Sequence, residues 1–161
     1  MMMPAMQANI GRKQSARGVI ALAIAALLVP VGCTAETQPK VTLSINEVPI
    51  QVEIAHSEET RSRGLSHREV LANDSGMLFI FREPALHALW MLNTRIPLSV
   101  AFIDKQGGII NIATMGPHTL TRHLPDRPAK YALEVNRGWF AAHGIKPGMQ
   151  VAGIEHAPPA E

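Results

Sequence analysis

Side chains with several different chemistries stand close together in the middle of the chain. The set comprises Trp90, Met91, Asn93, Thr94 and Arg95. The Arg95 guanidinium has the planar fork that binds a carboxylate or a phosphate, and the Trp90 indole can stack on a sugar or a cation. We therefore predict a ligand-binding surface around the turn from Trp90 to Arg95. The alternative is that Asn93 and Thr94 tie a turn while Trp90 fills the core.

A second candidate is the carboxylate of Glu134, with the amide of Asn136 two residues later. Glu134 lies between apolar neighbours in a strand pattern, where a carboxylate is usually buried and paired. Arg61 or Arg95 is the partner that would make a structural ion pair. The alternative is a hydrolase-like enzyme of the cell envelope, in which Glu134 performs the chemistry and Arg95 holds an anionic group of the substrate.

A third possibility is a periplasmic site for a soft metal such as Cu(I), which methionine and histidine bind well. The candidate residues are Met77, His87, Trp90, Met91, Met115, His118 and His123. Methionines in apolar strands usually fill space, however. The sequence has no His-x-His, Cys-x-x-Cys or His-Glu-x-x-His spacing, no nucleophile elbow, no phosphate loop and no dinucleotide fingerprint. We therefore assign no metal ligand and no cofactor.

Residues 1–32 have the pattern of an export signal. Arg12, Lys13 and Arg17 precede an apolar run from Val19 to Val31, and the segment contains no acidic residue. An apolar run of about 13 residues is shorter than the ~20 that span a bilayer, and it suits the central part of a signal peptide. We therefore expect the protein to be exported.

The only cysteine, Cys33, directly follows Val31-Gly32, where a bacterial lipoprotein signal places its acylated cysteine. We expect lipidation at Cys33, a tether over residues 33–40, and a membrane-anchored envelope lipoprotein. The alternative is simple cleavage near Cys33 to Glu36, which releases a periplasmic protein. A lone cysteine cannot form an internal disulfide, so the mature domain must be stable without one.

The charge of the mature chain argues against nucleic acid as a partner. The whole chain carries a net charge of +2, and loss of the three leader cations leaves about −1. No block of basic residues with interleaved aromatics remains. We expect a monomer that binds a small or envelope-derived ligand and meets the membrane through a lipid on Cys33.

Alternating apolar residues and turn signals predict one β-rich domain over residues 41–155 and a disordered tail over residues 156–161. The predicted strands are 41–45, 48–55, 77–81, 87–92, 98–103, 109–115, 129–135 and 149–154. Short polar turns predict a hairpin between the first two and another between 98–103 and 109–115. Ser57 and Gly64 bound a first short helix, and Asn136 caps a second that reaches His143. The loop 116–130 roofs the candidate surface. The fold class is α+β, mostly β: a small β-barrel-like or jelly-roll-like domain of about eight short strands with two short helices.

Five motifs occur in an order that identifies a family: Arg61-x-x-Gly64-Leu65, Gly76-Met77-Leu78-Phe79, Trp90-Met91-x-Asn93-Thr94-x-Ile96-Pro97-Leu98, Leu133-Glu134-x-Asn136-x-Gly138, and Gly144-Ile145 followed by Gly148. Over residues 41–154 the chain closely resembles the domain of unknown function 192 family, which is widespread in bacteria and archaea and often exported. The resemblance implies a small β-barrel-like or jelly-roll-like fold and a candidate surface, without a reaction. The family usually has Met and Asp where this chain has Ser66 and Ser99, so no catalytic role is based on position 99.

Overall fold

The computed structural model describes residues 38–161. These residues belong to one compact unit. The predicted export signal, the lipidation site at Cys33 and most of the tether lie outside the described residues. Within them, no helix has the length and hydropathy needed to cross a membrane.

Seven strands form one sheet: β1 (Lys40–Ile45), β2 (Val48–Ala55), β3 (Ser75–Ala85), β4 (Leu98–Ile103), β5 (Ile109–Met115), β6 (Ala129–Asn136) and β7 (Val151–Ala152). Their order across the sheet is β5-β4-β6-β3-β2-β1-β7. β2 and β3 pair in parallel, and the other neighbours are antiparallel. The helices are α1 (Glu58–Arg63), α2 (Trp139–Ala142) and one 3-10 turn (Ile154–His156).

The two edges of the sheet meet at one end. Gly108 and Gln150 form an isolated antiparallel bridge, and the Ile109 N–H donates to the Met149 carbonyl at 2.9 Å. Ile109 begins β5 and Gln150 directly precedes β7, so these bonds join the edge strands and the sheet curls into a partly closed barrel. The predicted α+β, mostly β, barrel-like fold is confirmed.

Apolar side chains pack on both faces of the curled sheet. β4 is buried along its whole length. Because successive residues of a strand point to opposite faces, its side chains divide between two clusters. Ala101 and Ile103 belong to the first core cluster, whereas Leu98, Val100 and Phe102 belong to the second. The second cluster lies under α1 and the segment after β3, and it forms the base of the candidate site.

The predicted bounds of α1 are confirmed, and its caps explain them. The Ser57 hydroxyl accepts a hydrogen bond from the Thr60 N–H at 3.2 Å, and Gly64 ends the helix with a φ of 47°. Glu59 and Arg63, four residues apart on the helix, form an ion pair at 3.1 Å. The two caps are local in the sequence, which is why they could be identified there.

Two strand predictions around Pro84 are wrong. β3 does not end before residues 82–84 but continues to Ala85, with an irregular register after Ile80. Its pairing with β2 ends at Phe79, so a proline beyond that point interrupts no ladder on that side. Residues 87–92, predicted as a strand, form a loop in which only Leu89 makes a bridge.

The C-terminal part also differs from the sequence interpretation. The strand predicted over residues 149–154 is reduced to Val151–Ala152. The tail over residues 156–161, predicted to be disordered, lies against the domain: Ala157 and Ala160 pack on the first core cluster, and the Glu161 N–H donates to the His56 carbonyl at 2.9 Å. Small apolar side chains hold the tail there, and the sequence of the tail alone does not predict this contact.

Candidate functional site

A cleft of about 710 Å³ opens on the face of the sheet that carries the second core cluster. Its floor comes from β3 and β6 through Phe79, Phe81 and Glu134. One wall is the end of α1 with the turn that follows it, and the other is the segment over residues 82–94. Small-molecule sites are typically clefts of about 300–1,000 Å³ with apolar and aromatic linings, so this cleft has the size of such a site.

Hydrogen bonds join the two walls at one end of the cleft. The His67 N–H donates to the Asn93 carbonyl at 2.9 Å, and the Ser66 hydroxyl donates to the Leu92 carbonyl at 3.3 Å. His67 and Asn93 both have a left-handed backbone, with φ of 63° and 57°. This conformation is uncommon outside glycine, although Asn and His adopt it more readily than most residues, and it shapes the turns that bring the two walls together.

The loop predicted to roof the site stands behind one wall instead. Leu89 and His123 exchange two backbone hydrogen bonds of 2.9 Å, and the Met91 N–H donates to the Thr119 carbonyl at 3.0 Å. None of residues 116–130 lines the cleft. The loop therefore supports the wall that carries Trp90 and does not face a ligand directly.

Glu134 lies at the floor of the cleft with only 5% of its surface exposed. On β6 it is opposite Met77 of β3 and Val100 of β4, so its side chain points to the second core cluster. Burial raises the pKa of its carboxyl group to about 8, so the group is protonated at neutral pH. A carboxyl with a perturbed pKa in a cleft is a typical mark of a functional site.

The ion pair predicted for Glu134 is not formed by either candidate arginine. The Arg61 guanidinium donates to the backbone carbonyls of His56 and Ile80. Arg95 lies outside the cleft, where it pairs with the exposed carboxylate of Glu69. The hydrolase-like alternative therefore loses its pairing of Glu134 with Arg95.

Trp90 and Met91 point in opposite directions. Met91 is fully buried, whereas Trp90 is 51% exposed and lines the cleft. The alternative in which Trp90 fills the core is therefore wrong. The core tryptophan is Trp139, whose indole N–H donates to the Asp74 carboxylate at 2.8 Å. The Trp90 indole remains accessible from the cleft.

Four of the six residues predicted to bind a ligand line the cleft: Trp90, Asn93, Thr94 and Glu134. Arg95 and Asn136 do not. The Asn136 amide donates to the carbonyl oxygens of Leu71 and Ala72 at 3.0 and 3.2 Å, which ties the segment before β3 to the end of β6. Asn136 does not cap α2 as predicted, because the capping position is Gly138.

The sequence interpretation missed most of the floor and the rim, namely Phe79, Phe81, Arg63, His67 and Arg82, and it considered His87 only as a soft-metal ligand. A signal was nevertheless present in the family motifs. The first four of them each contribute to the cleft, through Arg61, Phe79, Trp90 and Glu134 respectively. The motifs are far apart along the chain, yet these four meet at one cleft. Their shared presence in the family pattern was the signal that could have indicated a common site.

The two positions that depart from the family pattern lie on different sides of the sheet. Ser66 lines the cleft. Ser99 is adjacent to Val100 on β4 and therefore points to the opposite face. Its hydroxyl accepts a hydrogen bond from the Gly138 N–H at 3.1 Å, at the start of α2. The serine at position 99, where the family usually has Asp, therefore contacts the start of α2. The serine at position 66, where the family usually has Met, alters the lining of the cleft.

The methionines proposed as soft-metal ligands belong to the core. Met77, Met91 and Met115 are fully buried in the second core cluster. Among residues 38–161, no group of three or more His, Cys, Asp or Glu side chains is placed to hold a metal ion. These methionines fill space between apolar neighbours, as methionine commonly does.

The curled sheet and its cleft define a small β-rich domain of a known but uncharacterised type. The chain belongs to the domain of unknown function 192 family, described as "uncharacterized ACR", whose model matches residues 41–153. No curated protein matches the chain. The family and its fold are thereby established, and the family description names no reaction.

The solved structures that are similar to the chain include the following two. A candidate transcription regulator from Sinorhizobium meliloti is 32% identical with a TM-score of 0.70, and the match covers 73% of this chain and 95% of that one. A protein of unknown function from Novosphingobium aromaticivorans is 32% identical with a TM-score of 0.65, and the match covers 71% and 84% of the two chains.

Proposed function

We propose that this protein is an exported module of the bacterial envelope that binds a small molecule in the cleft and performs no chemistry of its own. The observation that carries the proposal is the cleft itself. It has the volume of a ligand site, a half-exposed indole on one wall and a buried carboxyl group on its floor. An exposed aromatic beside a few convergent polar groups is the usual composition of a small-molecule site.

Binding is favoured over catalysis because of where the charged groups lie. The enzyme alternative needs Arg95 to hold an anion beside Glu134, and Arg95 is paired with Glu69 outside the cleft. The cleft nevertheless keeps Trp90, Asn93 and Thr94 beside Glu134, which suits recognition.

The description of the Sinorhizobium protein as a candidate transcription regulator is not extended to this chain. After loss of the leader cations the net charge is about −1, and no basic block with interleaved aromatics is present. Binding to nucleic acid depends largely on clustered Lys and Arg side chains that neutralise phosphates.

We expect ligands of the cleft to stabilise the protein in a thermal-shift screen of small carboxylates, phosphates, sugars and cell-wall fragments. A ligand at one hundred times its Kd adds about 2.7 kcal/mol to the free energy of unfolding. Trp90→Ala is expected to abolish the shift. Leu120→Ala, which removes an exposed apolar side chain outside the cleft, is the matched control and should keep it. The proposal would be contradicted if a compound stabilised Trp90→Ala as much as Leu120→Ala. It would also be contradicted if no compound stabilised the wild-type protein.

Export is supported by the basic and then apolar N-terminus that ends at Gly32-Cys33. Expressed in a bacterium, the protein is expected to fractionate with membranes, because an acyl group on the cysteine partitions into the bilayer. Cys33→Ala should release or misprocess it, and a lone cysteine can form no internal disulfide whose loss would confuse the result. Recovery of the uncleaved chain from the soluble cytoplasm would overturn this part of the proposal.

A further inference from the structure

We propose that the cleft selects a small carboxylic acid, and that the carboxyl group of Glu134 donates the hydrogen bond that holds the ligand's carboxylate. This inference rests on the proposed function, since it names the chemical class of the molecule that the cleft binds. Three observations carry it: the lack of a partner for Glu134, the charges that surround the cleft, and the apolar surface beside them.

The carboxyl group of Glu134 has an unused hydrogen-bonding capacity. Its oxygens are not among the fully buried side-chain atoms of residues 38–161 that lack a partner, so they reach the open cleft. Within residues 38–161 Glu134 makes no ion pair or side-chain hydrogen bond, and desolvation is what shifts its pKa upward. The group is therefore kept as the neutral acid, which presents an O–H donor to the cleft. A carboxylate is among the strongest acceptors for such a donor, because the hydrogen bond is charge-assisted.

The charged groups around Glu134 favour an anion over a cation. Its neighbours on the adjacent strands, Met77 and Val100, are uncharged. The other titratable or charged side chains that line the cleft are Arg61, Arg63 and His67 from α1 and its following turn, Arg82 and Glu83 from β3, and His87 from the segment after it. Arginines outnumber acids here even though Arg63 is paired with Glu59. A cleft with a surplus of cations attracts a carboxylate and disfavours an ammonium group.

The remaining surface of the cleft suits an apolar ligand body. Phe79 and Phe81 lie at the floor with only 2% and 7% of their surfaces exposed, and the His87 ring stacks on Phe81 with 3.8 Å between centroids. Trp90 and Leu92 are half exposed at the edge, with 51% and 52% of their surfaces free. A small acid with an aromatic or aliphatic body covers these side chains while its carboxylate reaches Glu134.

The test compares phenylacetate, phenylacetamide and phenethylamine, which share a phenyl body and differ in the head group. Calorimetric titration of the purified protein near pH 7.5 is expected to give a Kd for phenylacetate that is at least about tenfold lower than for the other two probes. Near pH 9.5 the affinity for phenylacetate should fall by more than about tenfold, because most Glu134 side chains then lack the donated proton.

Variants separate the hydrogen bond from general effects on the cleft. Glu134→Gln keeps an N–H donor and cannot ionise, so its affinity for phenylacetate is expected to be the same at both pH values. Glu134→Ala should lose at least about tenfold in affinity. Glu69→Gln removes a carboxylate outside the cleft and should behave as the wild type.

The outcomes distinguish this inference from the proposed function. Tighter binding of phenethylamine at the higher pH, or unchanged phenylacetate binding in Glu134→Ala, overturns the carboxylate assignment. If that assignment fails while another compound still stabilises the protein in a Trp90-dependent manner, the cleft remains a binding site. If no compound binds in a Trp90-dependent manner, both proposals fall.

Discussion

Replacement of Trp139 with alanine is expected to lower the free energy of unfolding by about 3–5 kcal/mol, the usual cost of truncating a buried aromatic side chain. Trp139 is 7% exposed and packs edge-to-face on Phe140, with 5.5 Å between ring centroids. Its indole N–H also donates to Asp74 at 2.8 Å. The variant therefore loses apolar burial, an aromatic contact and a hydrogen bond together, which is a large part of the ~5–15 kcal/mol that stabilises a typical domain.

Trp90→Ala is the matched control, because it removes the same side chain from the wall of the cleft. Half of the Trp90 surface is already exposed, so the expected loss is no more than about 1 kcal/mol. Urea unfolding followed by far-ultraviolet circular dichroism measures both variants. Similar losses of unfolding free energy for the two replacements would contradict the burial of Trp139 and the exposure of Trp90.

The free energy of unfolding is expected to fall with rising pH because of Glu134. Burial raises the pKa of this carboxyl group from 4.5 to about 8 in the folded state. Below about pH 4.5 both states hold the proton; between these two pKa values the unfolded state releases it while the folded state retains it. The free energy of unfolding therefore decreases by about 1 kcal/mol per pH unit across this interval and levels off above it.

Glu134→Gln removes the ionisation and should remove this pH dependence. The variant is expected to match the wild type within about 1 kcal/mol near pH 5 and to exceed it by several kcal/mol near pH 9. The measurement is the difference between the two unfolding free energies in urea across this range. Glu69→Gln, which replaces an exposed carboxylate, should give a nearly flat difference curve. A flat curve for Glu134→Gln would show that the Glu134 carboxyl is not buried in the folded protein.

Hairpins and caps could be predicted because their signals are local. The pairs β1–β2 and β4–β5 were predicted from alternating apolar residues on either side of short polar turns, and their antiparallel pairing is confirmed. Ser57 and Gly64 bound α1 for the same reason, since a cap acts on backbone groups only a few residues away. Alternation and turn chemistry operate within one element or between two adjacent ones, so the sequence displays them directly.

The candidate site could be predicted only in part. The segment from Trp90 to Thr94 was identified by its unusual composition, and Glu134 by a charge within an apolar strand. Arg95 was included because its guanidinium fork can bind a carboxylate or a phosphate, but its partner is Glu69, and nothing in the spacing of these two residues reveals the pair. Phe79 was assigned to a strand and a family motif but not to the site, because the wall that faces it across the cleft comes from a distant part of the chain.

The sequence by itself determined the fold class, the family, the hairpins and the residues around which a site would form. These follow from the types and order of neighbouring residues. Only the tertiary structure decided which tryptophan is buried, which face of β6 carries Glu134 into the cleft, and that loop 116–130 supports a wall instead of lining it. Each of these depends on strand register and on contacts between distant segments, and a side chain's burial and pKa are set by what packs against it.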